Sequence, residues 1–238
     1  MSKDIYIALD FPEGAAAERF LERNELDGVP VKVGMELFYR EGPTIIEKLK
    51  DKGHPIFLDL KLHDIPTTVM KAMTNLARLQ VDMVNVHALG GAKMIHYAKE
   101  GLLAGSSPGK DPKLIAVTVL TSMDETTLQQ ELRLSGSLES NTVHLSELSN
   151  ANGADGVVCS VHEAALIKEA CNSDFLTVTP GIRLAGTDSN DQKRVSTPAY
   201  AKENGADVLV IGRSITQAFD PLKAYKQAVK EWQDESEG

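Results

Sequence analysis

Short apolar runs, each followed by a longer stretch with apolar residues three or four positions apart, recur from one end of the chain to the other. The short runs read as strands and the wider spacing as amphipathic helices. The first pair is a strand over Ile5–Asp10 and a helix from Pro12 to about Arg23; the second is Val29–Gly34 with a helix from about Glu36 to Asp51. Pro55–Lys61 precedes a helix from about Pro66 to Leu79, and Asp82–His87 precedes one that starts after Gly90-Gly91. A fifth strand is expected over Leu114–Thr121, followed by a polar, broken region that turns helical from His144 to Asn150. Gly156–Cys159 with a helix from His162 comes next, then Phe175–Thr179 with a long turn at Pro180-Gly181. Asp207–Ile211 and a helix from about Ser214 to Trp232 complete the series. Eight strand–helix alternations with no linker predict an α/β chain folded as a single (β/α)8 TIM barrel domain over residues 1–238.

The charged residues interrupt this pattern on one side of the strands. Successive strand side chains point to opposite faces, so Asp59 and Lys61 share a face while Leu58 and Leu60 take the other. Asp10 likewise falls with Tyr6 and Ala8, and Lys32 opposite Val31 and Val33. Aliphatic residues suit the helix-facing layer, which leaves the charges pointing into the barrel near the C-terminal strand ends, where barrel active sites are built. Lys32, Asp59, Lys61 and Asp64 are therefore expected to converge as a row of alternating sign, with both ammonium groups protonated because opposite neighbours favour the ionised forms. Burying such charges costs several kcal/mol per ion unless they are paired, so the alternative to a functional cluster is a structural ion pair at a strand end.

A net charge of −9 argues against broad contact with a nucleic-acid backbone and leaves room for a local basic pocket that takes a small anion. The opening apolar run Ile5–Leu9 is too short for a membrane span or a signal peptide and ends in Asp10, so no membrane partner is expected and the chain reads as cytoplasmic. Cys159 and Cys171 have no metal or redox spacing and read as packing residues. The anion pocket has a candidate: the eighth strand runs into Gly212-Arg213-Ser214, where a close backbone approach, free helix N–H groups and a guanidinium meet. The polar loop from Pro180 to Gln192 reads as a lid, with Arg183 and Gln192 at its two ends closing over a phosphate.

Read in order, Asp59-x-Lys61-x-x-Asp64-Ile65-Pro66-x-Thr68, Pro180-Gly181-Ile182-Arg183 and Ile211-Gly212-Arg213 resemble the orotidine 5′-phosphate decarboxylase family, in its compact bacterial form. The likeness covers the chain and takes in Ala8-Leu9-Asp10, Lys32-Val33-Gly34 and Val86-His87-Ala88. It implies decarboxylation of orotidine 5′-monophosphate to uridine 5′-monophosphate in pyrimidine biosynthesis, with no cofactor and no metal. It further implies that Lys61 protonates the product carbon, that Asp59 lies beside the substrate carboxylate, and that Lys32 and Asp64 complete the charge network. Asp10 and Lys32 would meet the ribose hydroxyls, Thr121 the pyrimidine amide edge, and Arg183, Gln192, Gly212 and Arg213 the phosphate. A homodimer is implied, with Asp64 and Thr68 reaching into the partner subunit's site.

The residue types suit that chemistry. Loss of CO₂ from the orotate ring leaves an in-plane carbanion that the π system stabilises poorly, and the chain shows no signature of an electron-sink cofactor. A fixed ammonium at the developing charge, doubling as proton donor, supplies both needs. His87 is expected to support the site by hydrogen bonding rather than to act as acid or base, and the remaining histidines form no ligand pair. Two rivals stand beside this reading. One is a Mg²⁺-dependent sugar-phosphate decarboxylase or aldolase of the same superfamily, whose members resemble one another in carrying a Glu where this chain has Lys32; the other is a non-catalytic barrel that binds a nucleotide phosphate.

Overall fold

The structure, a computed structural model, describes residues 4–184 and 196–233. Eight parallel strands close on themselves in chain order. They are β1 (Asp4–Ala8), β2 (Val31–Gly34), β3 (Ile56–Leu62), β4 (Met83–His87), β5 (Lys113–Val117), β6 (Gly156–Val158), β7 (Leu176–Thr179) and β8 (Val208–Ile211). Around them lie α1 (Gly14–Arg23), α2 (Met35–Glu41), α3 (Pro43–Asp51), α4 (Pro66–Ala77), α5 (Gly91–Gly105), α6 (Leu138–Ala151), α7 (Val161–Ala170), α8 (Pro198–Glu203), α9 (Arg213–Thr216) and α10 (Pro221–Gln233). The (β/α)8 barrel expected from the alternation is the one observed.

The strands are apolar on both faces, as a parallel sheet covered by helices requires. Ile5, Ile7, Val31, Val33, Leu58 and Leu60 pack outward against the helices. Tyr6, Ala8, Phe57, Met83, Ile115, Val178 and Val210 fill the interior as a separate cluster. The Phe57 and Tyr6 rings stand nearly perpendicular, 84° between planes, with centroids 6.2 Å apart. This packed plug separates the cavity at the C-terminal mouth from a second hollow at the opposite end, lined by Asp4, Tyr6, Asp82, Met83 and Asp207.

Several element boundaries differ from the periodicity. The helix expected from Glu36 to Asp51 is two helices, because Gly42 adopts φ 65 and Pro43 starts α3, where its missing N–H is not needed. The last helix is also divided, α9 ending at Thr216 and α10 beginning at Pro221, with only the proline in common with the first break. Strand β5 ends at Val117 rather than Thr121, since the Thr118 hydroxyl turns back to donate to the Val158 carbonyl at 2.8 Å. Helix α6 begins at Leu138, well before His144, because Ser137 caps it by accepting from the Ser140 N–H. Helix α8 had no strong apolar period to announce it; its start is marked instead by the Thr197 cap and Pro198.

The lower face carries a repeated device. Asp82, Asp155 and Asp207 each stand just before an even-numbered strand, and each exchanges two hydrogen bonds with the first residues of the preceding strand. Their carboxylates accept from the N–H groups of Ile56, Leu114 and Thr177 at 2.7, 2.7 and 2.8 Å. Their own N–H groups donate to the carbonyls of the same three residues. The sequence behind it is a buried Val81, Ala154 or Ala206 followed by Asp, so register is set three times round the barrel by one short signal. On the outside, α4 and α5 approach until a Cβ built on Gly101 would lie 2.2 Å from the Met70 carbonyl oxygen, which holds α4 and its first turn in place.

Asp155 also pairs with Lys99 at 2.7 Å, as Asp207 does with Lys168 at 2.6 Å. Asp155→Ala is expected to lower unfolding free energy by about 1–3 kcal/mol, because it strands the Leu114 N–H. Urea denaturation reads the loss, and the cavity at the other end of the barrel is expected to bind ligand as before. A change below about 0.5 kcal/mol would show that the seam is held by something else.

Candidate active site

Strand β3 builds the site. Its register against β4 pairs Phe57 with Met83 and Leu58 with Val84, then jumps to Leu62 with Val86. Four steps along β3 thus match two along β4, an insertion of two residues in β3. An insertion of two preserves which face each side chain takes, where an insertion of one would turn the later residues to the opposite layer. Asp59 and Lys61 both stay inward, as the alternation predicts, while the Lys61 backbone is pushed to φ 52. A non-glycine residue in that region stores about 1–3 kcal/mol of strain and is found at functional positions.

The charged side chains form a continuous row. The Lys32 ammonium lies 3.1 Å from Asp10 Oδ1 and 3.2 Å from Asp59 Oδ2, and the Lys61 ammonium lies 2.6 Å from Asp59 Oδ1. Lys32 and Asp59 are buried, at 8% and 9% exposure, so neither charge is held by solvent. Gly34 makes room for the row, since a Cβ there would come 3.1 Å from Lys32 Nζ. Burial pushes the Lys32 ammonium down, but Asp59 and Asp10 outweigh it and its pKa stands above the ordinary lysine value. For Asp59 burial pushes up, while Lys32, Lys61 and the Asn85 amide pull harder, and its pKa stands below the ordinary carboxylate value.

Above the interior plug the mouth opens into a cavity of about 460 Å³, within the range of small-molecule sites. Asp10, Lys32, Asp59 and Lys61 line one side; Arg183, Gly212 and Arg213 line another; Thr121 lies on the rim with Val119 and Leu120. Arg183 is buried beside β7, and Arg213 begins α9 directly after β8, as expected for an anion site. Nearly all the residues picked out in the sequence therefore share one cavity. Gln192, and the central part of the expected lid, lie outside the described residues.

Asp64 and Thr68 are the exceptions within one chain. Both are exposed, and neither lines the cavity. The Asp64 carboxylate accepts from the N–H of Ile65 at 2.6 Å, because by this point the chain has left the barrel and turned outward towards α4. The convergence of all four charges expected from the motif is thus corrected to three, joined by Asp10. His87 is half-buried beside His63, with ring centroids 5.8 Å apart, and lies outside the cavity lining. Burial, then His63 and Lys61, push its pKa below the ordinary histidine value. Three residues escaped the sequence reading. Thr216 and Gln217 line the cavity from the end of α9, one turn beyond Arg213. Asn85 is fully buried, donates to Asp59 and accepts from the Lys61 N–H; its inward parity with Met83 and His87 was the available signal.

Among the described residues no group of three or more His, Cys, Asp or Glu side chains is arranged to hold a metal ion, and no helix is long and apolar enough to cross a membrane. Against known proteins, residues 3–228 match the model of the Orotidine 5′-phosphate decarboxylase / HUMPS family. The orotidine 5′-phosphate decarboxylase of Bacillus pumilus is 57% identical over 228 residues, 95% of this chain and 97% of that protein. The same-named protein of Bacillus cereus is 54% identical over 98% of each chain. Among solved structures, orotidine 5′-phosphate decarboxylase from Lactobacillus acidophilus superposes with a TM-score of 0.89 at 42% identity, covering 98% of this chain and all of that one.

The charge row gives a pH-dependent prediction. Asp59, with its lowered pKa, contributes stability that is complete above the ordinary carboxylate value of about 3.9 and is lost as pH falls through its own. Lys32, with its raised pKa, contributes stability that is complete below about 10.4 and is lost above it. Lys32→Met is therefore expected to cost about 3 kcal/mol at neutral pH, and less as the pH drops through the Asp59 range and that carboxylate is neutralised. Urea denaturation of both proteins at neutral and acid pH checks this; a penalty that stays constant or grows in acid contradicts it.

Proposed function

The chain belongs to the orotidine 5′-phosphate decarboxylase / HUMPS family, and from that premise we propose that it decarboxylates orotidine 5′-monophosphate to uridine 5′-monophosphate in pyrimidine biosynthesis, without a cofactor. In this reading the protein is a cytoplasmic, single-domain barrel. The phosphate lies against Arg183, Gly212 and Arg213, with Gln192 closing over it, and the ribose hydroxyls meet Asp10 and Lys32. The pyrimidine spans the cavity, with its amide edge at Thr121 and its carboxylate-bearing carbon beside Asp59 and Lys61. The C–C bond to the carboxylate breaks, CO₂ leaves, and the electron pair stays on the ring carbon. The Lys61 ammonium stabilises that charge and then delivers a proton to it, leaving a neutral amine that is reprotonated from solvent. The observation that carries the reading is the Lys61 ammonium held 2.6 Å from Asp59 on the cavity wall, a fixed cation and proton source ready before substrate arrives.

Two further features support it. Decarboxylation of this ring needs binding energy remote from the reacting bond, and the guanidinium-lined end of the cavity is suited to supply it. The sugar-phosphate rival needs a divalent cation, whereas Lys32 already sets an ammonium between Asp10 and Asp59. We also take the working unit to be a homodimer, with Asp64 and Thr68 entering the partner subunit's site. Exposed Asp64 is followed by Ile65 at 64% exposure, and Leu89 at 45% follows the neighbouring strand β4. An apolar surface bearing a carboxylate suits a second copy of the chain better than water.

The experiment is turnover of orotidine 5′-monophosphate, with and without EDTA, by the wild type, Lys61→Ala and Asp64→Ala. Wild-type turnover is expected to survive EDTA, Lys61→Ala to lose about 10,000-fold, and Asp64→Ala about 1,000-fold. Equal mixing of the two variants is expected to restore about a quarter of wild-type activity, because half the dimers then carry one intact site of two. Loss of turnover on chelation would favour the Mg²⁺-dependent reading. Binding without turnover would favour the non-catalytic barrel, and no recovery on mixing would place Asp64 in its own subunit's site.

A further inference from the structure

Asn85 uses both ends of its amide on the charge row. It is completely buried in β4, among residues that pack as aliphatics, where an unpaired amide would be costly. Its Nδ2 donates to Asp59 Oδ1 at 2.7 Å, and its Oδ1 accepts from the Lys61 backbone N–H at 2.7 Å. It thus grips, from the neighbouring strand, the carboxylate of one functional residue and the main chain of another. The grip falls at the register jump, where the Lys61 N–H has left the regular ladder and the backbone stands at φ 52.

These two bonds remove two separate freedoms. Asp59 receives Lys61 Nζ and Asn85 Nδ2 on Oδ1 and Lys32 Nζ on Oδ2, so donors from three strands fix the plane of its carboxylate. Lys61 is kept from relaxing towards an ordinary strand conformation, which would swing its ammonium along the wall. Asn85 does not line the cavity, so its influence on a ligand passes through Asp59 and Lys61 alone.

We infer that Asn85 is a positioning residue for the reaction proposed above, on which this inference rests: its amide sets the geometry of the Asp59–Lys61 pair and keeps Lys61 aimed at the reacting carbon. An ammonium misplaced by about 1 Å loses on the order of 100-fold in rate, while contacts to phosphate and ribose are unaffected.

The test compares Asn85→Leu, Asn85→Ser and Asn85→Asp with the wild type. Asn85→Leu, close in volume and lacking both bonds, is expected to lower kcat about 100-fold while KM and the affinity for uridine 5′-monophosphate change less than about 3-fold. Asn85→Ser, whose hydroxyl both donates and accepts, is expected to recover part of the loss. Asn85→Asp keeps an acceptor for Lys61 but sets a second carboxylate against Asp59. The pair then shares a proton, and the kcat profile gains an ionisation between about pH 5 and 8 that the wild type lacks. Hydrogen exchange at the Lys61 amide, followed by NMR without substrate, is expected to quicken in Asn85→Leu. Unchanged kcat in a less stable Asn85→Leu protein would reduce Asn85 to a structural residue, and a wild-type pH profile in Asn85→Asp or a still-protected Lys61 amide would overturn the inference. Should Asn85→Leu fail to fold, the serine and aspartate variants decide. A wild type that does not turn over orotidine 5′-monophosphate would sink the proposed function instead, and the exchange measurement separates the two failures.

Discussion

A carboxylate held between two ammonium groups inside an apolar barrel is the constraint that the upper half of this molecule serves. Asp59 is nearly out of reach of water, and its ionised form is tolerable only because Lys32 and Lys61 stand on either side and Asn85 donates to it. Each neighbouring feature follows from that requirement. Gly34 leaves the volume that the Lys32 ammonium occupies, and the two-residue insertion in β3 keeps Asp59 and Lys61 facing the same cavity. The strained Lys61 backbone is retained because a buried side-chain acceptor replaces its lost ladder partner.

The two ends of the barrel divide the work. At the lower end, the aspartates before β4, β6 and β8 close the strand seams with paired hydrogen bonds, and the aromatic and aliphatic plug fills the interior. That rigidity lets the upper end hold charges and strain that would destabilise a looser scaffold. The cavity is polarised in turn, with the alternating row on one side and two arginines on the other. In the proposed reaction a nucleotide spanning it would be gripped by its phosphate far from the bond that breaks, so that remote binding energy holds the substrate against an electrostatically demanding geometry.

Much of this was legible in the order of residues, for identifiable reasons. Strand alternation has a period of two, so it correctly sent Asp59, Lys61 and Lys32 inward, and the eightfold alternation gave the closed barrel. What stayed hidden depends on contacts between distant segments. Asn85 looked like one polar residue in an apolar strand, because its meaning lies in the register of β3 against β4, which no local pattern encodes. Asp64 was grouped with its motif neighbours, yet one chain turns it outward. Gly42 and Pro221 divided helices whose apolar period runs on through the break, and α8 was too short for periodicity to reveal.

If the charged row is assembled before any ligand arrives, its central carboxylate must already be ionised in the free protein. The direct measurement is a ¹³C NMR titration of the Asp59 side-chain carboxyl in the absence of nucleotide. The predicted result is a midpoint below the ordinary aspartate value of about 3.9. A midpoint in the range that burial alone would produce, well above that value, would mean that the two ammonium groups do not hold the carboxylate, and the electrostatic account would be contradicted.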